Sequence, residues 1–164
     1  MAVFVGIDPG ASGAICLLDT RRKIHYFQPT PNLKCSALSL YQWLLTQHAL
    51  DPIHLIAVED VHSLYGMSAK SNFQFGFNLG QVRTVADMTE IGVELVQPKV
   101  WQKVCGITFK KGMSSPQKKR HIAATALQLY PKAELNGPKG GLLDGRADAL
   151  MIAHYLSIKY GINA

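Results

Sequence analysis

The chain has 164 residues, 48% of them hydrophobic and 17% charged, which suits one domain with a buried core and leaves no room for two ordinary ones. It contains no run of about 18 apolar residues to cross a membrane, and its first residues enter a strand pattern with no secretory signal, so a soluble, cytoplasmic protein without membrane contacts is expected. The net charge is +6, and Cys16, Cys35 and Cys105 are odd in number with no CxxC pair, which argues against a disulfide framework or a structural zinc site.

Residues 2–8, 13–19 and 23–28 read as three short strands, and turns at Gly10 to Gly13 and Thr20 to Lys23 fold them into an antiparallel meander. Residues 36–49 carry Leu38, Tyr41, Leu44, Leu45 and His48 at helical spacing, and "PIHLIAVED" at 52–60 is a buried-strand run that finishes in acids. A helix leading back into a strand is the pattern of a parallel neighbour. Residues 69–90 predict a long helix, "GVELVQP" a further strand ended by Pro98, and "FKKGMSSP" a loop. Residues 115–130 predict a helix capped by Ser115 with Pro116 at its first position, and "DGRADALMIAHYLSIKY" a closing helix after Gly137, Gly140 and Gly141. The fold class is therefore α/β, a single domain over 1–164. Its mixed five-stranded sheet has three antiparallel strands followed by parallel ones, with helices on both faces.

Between Glu94 and Glu134 there is no acid at all, while Lys99, Lys103, Lys110, Lys111, Lys118, Lys119, Arg120 and Lys132 fall there. A one-signed surface of this length gains from releasing counterions from phosphates, which points to nucleic acid; a solvated basic face that maintains solubility has the same composition.

The acids occupy telling places. Asp8 ends the first strand, Glu59 ends the central parallel strand, and Asp144 and Asp148 stand four apart on one face of the last helix. Neighbouring strand ends and a helix start can bring all four to one spot, where they would repel one another unless divalent cations lay between them. Oxygen ligands suit Mg²⁺, with Mn²⁺ as a substitute, rather than zinc. Taken singly, Asp8 has an ordinary explanation as a turn residue, Glu59 as a solvated strand end and Asp144 as a helix cap. The small residues after Asp8 (Gly10, Ala11 and Gly13) would let a phosphate approach the backbone, or simply close a tight hairpin.

In order along the chain, "GIDPGASGA", "IAVEDV", "NLGQVRTV", "VQPKVWQKV", "QKKRHIAATAL" and "DGRADALMIAHY" resemble the RuvC family of Holliday junction resolvases, including its phage-type members, in the RNase H-like superfamily. The resemblance implies an RNase H-like fold, a homodimer, and Mg²⁺-dependent, two-metal cleavage of four-way or branched DNA, with Asp8, Glu59 and Asp148 on the family's metal-binding acids. One departure stands out. The bacterial resolvases carry the last two acids three apart, whereas here that position is Gly145 and the acid is Asp144, a shift that a frayed helix start would absorb.

The basic residues from Lys99 to Arg120 are the candidate DNA contacts. His62 joins them as a probe of an unpaired base, or is a plain surface histidine. His121 and His154 read as helix residues outside the chemistry, Trp43 and Trp101 as packing, and Phe73, Phe75 and Phe77 as core or dimer contact. An ATPase of the actin and sugar-kinase type shares the opening motif, but needs a second phosphate loop and an adenosine motif that these residues lack. A non-catalytic module that binds branched DNA is the other alternative. Neither a helicase partner nor a cleavage-sequence preference follows from the residues.

Overall fold

A strand with apolar residues at successive positions must be covered on both faces, and β1 and β2 are of this kind. The computed structural model describes residues 2–20, 24–29 (strand pairing only), 36–60 and 68–161. Strands β1 (Val3–Ile7), β2 (Ala14–Asp19), β3 (Ile24–Pro29), β4 (Ile53–Glu59) and β5 (Val93–Val96) form a sheet in the order β3-β2-β1-β4-β5. The β1–β2 and β2–β3 pairs are antiparallel, whereas β4 runs parallel to β1 and β5 parallel to β4. Helices α1 (Ala37–Leu50), α2 (Ala69–Met88), α3 (Pro98–Val104), α4 (Ser115–Leu129) and α5 (Asp144–Lys159) complete the described elements.

Alternation along the strands sorts the side chains into two cores. Val3, Val5, Ile7, Ile15, Leu17, Ile56 and Val58 point to one layer, where Leu40 and Leu44 of α1 and Val82 and Val85 of α2 cover them. Phe4, Cys16, Leu18 and Ala57 point to the other, under Trp101 of α3, Ile122 and Ala126 of α4, and most of α5. Helix α5 is buried along nearly its whole length, with small residues (Ala147, Ala149 and Ala153) among those it buries. Its C-terminal end is tied to β5 by Glu94, whose carboxylate accepts hydrogen bonds from Tyr155 Oη (2.6 Å), Lys159 Nζ (2.7 Å) and Tyr160 Oη (3.2 Å).

Three local features depart from expectation. Pro98 ends the strand run but also starts helix α3, because a first helical residue needs no N–H donor and proline already holds a helical φ. The cap of α4 is Ser114 rather than Ser115, and its N–H donates to Gln117 Oε1 at 2.8 Å. Phe73 and Phe77 are 76% and 44% exposed and so lie outside the core, with Phe75 half-buried between them.

Close packing of α5 depends on Gly6. A Cβ at this position would lie 2.2 Å from the Ala149 carbonyl oxygen and 2.4 Å from the Ala153 nitrogen, main-chain atoms that no rotamer change can move. Gly6→Ala is therefore expected to cost about 3 kcal/mol or more in urea unfolding, the upper range for overpacking, because the helix must lift from the sheet.

Candidate active site

The sheet register places the first two acids. Ile7 lies opposite Val58 in the parallel β1–β4 pair, so Asp8 and Glu59 leave the sheet side by side at the C-terminal ends of adjacent strands. Alternation gives them a common face: Phe4, Gly6 and Asp8 on one strand, and Leu55, Ala57 and Glu59 on the other, all turn toward α5. Each is then held by a donor. The Gly10 N–H donates to Asp8 Oδ1 at 2.9 Å, and the indole Nε1–H of buried Trp101 donates to Glu59 Oε1 at 2.9 Å. Trp101 therefore orients an acid as well as filling the core. A buried indole needs an acceptor, and the sequence signal for it is no stronger than that rule.

The last helix supplies the other two. A parallel bridge between Gly13 and Gly145 pins the start of α5 against the turn after Asp8. A Cβ on Gly145 would lie 2.3 Å from Ser12 O and 2.7 Å from Gly13 Cα. The position three before Asp148 is thus closed to any side chain, and the acid stands one residue earlier. Asp144 is the first residue of α5, and the cap is Leu143, so neither the frayed start nor the capping role describes it.

Electrostatics confirm that the four acids share one field. Burial pushes Asp8 up to about 6, against the hydrogen bond from Gly10 and with repulsion from Asp144. Glu59 is pushed up to about 7 by burial and by Asp8, against the Trp101 hydrogen bond. Asp148 is held well above the usual carboxylate range by burial and by repulsion from Asp8, Glu59 and Asp144. One base joins the acids: Lys119 Nζ from α4 forms an ion pair with Asp144 and feels Asp148 and Asp8 as well, which raises its own pKa. Among the described residues, no three of His, Cys, Asp or Glu already stand arranged to hold a metal ion. The donor set nevertheless fits a hard divalent cation in kind, being carboxylate oxygen throughout and short of positive charge.

The remaining candidates fall outside the acid cluster. Lys99, Lys103, Lys110, Lys111, Lys118 and Arg120 are exposed on α3, the following loop and the first turns of α4, and Lys118 Nζ lies 5.5 Å from the centre of the Phe109 ring. They share the α5 side of the sheet with the acids. His62 lies outside the described residues. His154 hydrogen-bonds Tyr130 Oη at 2.9 Å, and burial lowers its pKa, as expected of a packed helix residue. Cys16 is buried, and burial pushes the Cys105 thiol up to about 12, so both are inert thiols.

No family model and no curated protein matches the chain. Solved structures do. RuvC from T. thermophilus in complex with a Holliday junction substrate superimposes with a TM-score of 0.65 at 16% identity, covering 98% of this chain and 96% of that one. The chain has the RuvC fold. RuvC from Thermus thermophilus solved separately gives 0.63 at 17% identity over the same shares, and the yeast mitochondrial Holliday junction resolvase Ydc2 gives 0.51 at 16%, covering 97% of this chain and 81% of that one. Within this fold the acids sit where β1, β4 and α5 meet.

A stability test follows from the repulsion. With folded-state values raised above the unfolded ones, Asp8 and Glu59 bind more protons folded than unfolded between about pH 4 and pH 7, so in chelator the protein loses stability as pH rises through that window. Asp148→Asn removes one repelling charge. It is expected to raise Tm in EDTA at pH 8 by about 2 °C or more and to flatten the loss, read by differential scanning calorimetry across pH.

Proposed function

We propose that this chain is a structure-selective endonuclease that hydrolyses phosphodiester bonds in four-way or branched DNA. The observation that carries the reading is the meeting of Asp8, Glu59, Asp144 and Asp148 on one sheet face of a RuvC fold, beside an exposed run of lysines and arginine. Among its solved neighbours, one RuvC is bound to a Holliday junction substrate and Ydc2 is a Holliday junction resolvase.

In this reading Asp8, Glu59, Asp144 and Asp148 hold two Mg²⁺ or Mn²⁺ ions, which when bound supply the charge that activates water and stabilises the leaving oxygen. The protein's own groups do the positioning. Gly10 and Trp101 fix the two strand-end carboxylates before substrate arrives, so little reorganisation is left for the reaction. Lys119 balances Asp144 in the resting protein, and its half-exposed ammonium lies within reach of an incoming phosphate. The uncharged turn through Ala11 and Gly13 keeps negative charge and bulk away from that phosphate. The lysines of α3 and α4 hold the flanking backbone.

A two-fold symmetric junction calls for two sites, and α2 offers the face to pair them. Phe73, Phe77 and Met88 are exposed there, and among the described residues nothing stands within 4 Å of a Cβ built on Gly76 or Gly80, which leaves room for a second helix. Phe73→Glu with Phe77→Glu is expected to give monomers in sedimentation equilibrium that lose paired incision.

The deciding experiment incubates the protein with a synthetic four-way junction or linear duplex, with Mg²⁺ or EDTA. Selective nicking of the junction is expected with Mg²⁺ alone. Asp148→Asn should cut at least about 100-fold more slowly while binding the junction as tightly or more tightly, since one charge facing the phosphates is gone. Binding without cleavage by the wild type would identify a branched-DNA-binding module instead. Lys118→Ala should lower the slope of log K against log salt by about one, the signature of a lost phosphate contact.

A further inference from the structure

A cavity of about 340 Å³ lies between the N-terminal half of α2 and the turn that follows Asp8, lined by Ala11, Lys70, Ser71, Gln74, Phe75 and Asn78. Its size falls at the low end of small-molecule sites. Asn78 is fully buried, its Oδ1 accepts from Gln74 Nε2 at 2.9 Å, and among the described residues its Nδ2 has no hydrogen-bond partner. A buried amide donor left unmatched opposes folding, so a fold that keeps one in a cavity wall has room for an acceptor brought from outside.

We propose that this cavity is a subsite for a nucleobase of a DNA strand whose phosphate lies at Asp8, with the Asn78 amide as its reading group. The inference rests on the nuclease reading for the placement of the strand. Three features select a base over the other parts of a nucleotide. Phe75 and Ala11 give the cavity apolar walls against which a base plane packs, whereas a phosphate or sugar hydroxyl would lose its water there. Asn78 Nδ2 is a donor, and the bases present carbonyl and ring-nitrogen acceptors at their edges. Lys70 is exposed and suits the next phosphate along the strand rather than the base itself. The cavity also lies apart from Phe73 and Phe77: Ser71, Gln74, Phe75 and Asn78 recur at three- and four-residue spacing on one side of α2, and the two exposed phenylalanines fall on another. A dimer through the phenylalanine face therefore leaves the subsite open.

The test uses the whole chain and a readout independent of cleavage. In ¹⁵N–¹H spectra, the Asn78 side-chain amide, assigned through its disappearance in Asn78→Leu, is followed while tetranucleotides containing each of the four bases, or an abasic tetramer of equal length, are added. A shift with at least one base-bearing tetramer and none with the abasic one is expected. Asn78→Leu keeps the shape and removes the unmatched donor, so it should fold with an unchanged or higher Tm and bind the same tetramer about fivefold more weakly, as for one lost hydrogen bond. An Asn78 amide that stays unmoved, or moves equally with the abasic tetramer, would overturn the subsite and assign the cavity to water, even if the protein nicks junctions. A base-dependent shift in a protein that cuts no junction would uphold the subsite and sink the nuclease reading.

Discussion

Helix α5 rests on the backbone of β1 at Gly6 and on the turn after Asp8 through the Gly13–Gly145 bridge, contacts in which a side chain would overlap main-chain atoms. Everything else about the candidate site is arranged around that distance. The helix delivers two carboxylates, the strands beneath it deliver two more, and the face they share is set by the parity of Phe4, Gly6 and Asp8. A helix standing one side chain higher would take Asp148 away from the burial, and from the repulsion by Asp8 and Glu59, that hold its carboxyl above the usual range.

Such a cluster works against the fold that holds it. Glu59 is buried and Asp8 and Asp148 are half-buried, with like charges as neighbours, a condition that destabilises the ionised state. Two apolar layers offset it, one under α1 and α2 and one under α3, α4 and α5. Lys119 is the local compensation, and its placement on α4 couples the acid cluster to the basic segment. Like charges held together at a cost to the fold are a pattern that selection for stability alone does not favour.

Much of this was legible in the residues because it rests on short-range rules. The alternation of β1 and β2, the acid at the end of β4 and the apolar spacing of α5 each report a periodicity that a buried sheet or helix must have. Other features depended on contacts between distant segments. Nothing near Trp101 announces that Glu59 is its acceptor, and nothing near Lys119 singles it out from Lys118, because both partners come from other elements. Pro98 was legible as a break but not as a start, since proline serves either purpose. Gly145 looked like a missing acid until the backbone of Ser12 and Gly13 was seen to occupy the space of its Cβ.

The order of the chain has a consequence for its biogenesis. Strands β1 and β2 are made before α5 (Asp144–Lys159), the helix that covers one of their faces, and the Glu94–Lys159 contact joins residues 65 apart. Until α5 has docked, Phe4, Cys16 and Leu18 face water on a sheet that is otherwise formed, so nascent chains pass through a stage with a bare apolar surface. The same delay is protective. With half of the acid cluster carried by the last helix, an incompletely synthesised chain has no assembled acid cluster, and any chemistry at that cluster waits for a finished fold.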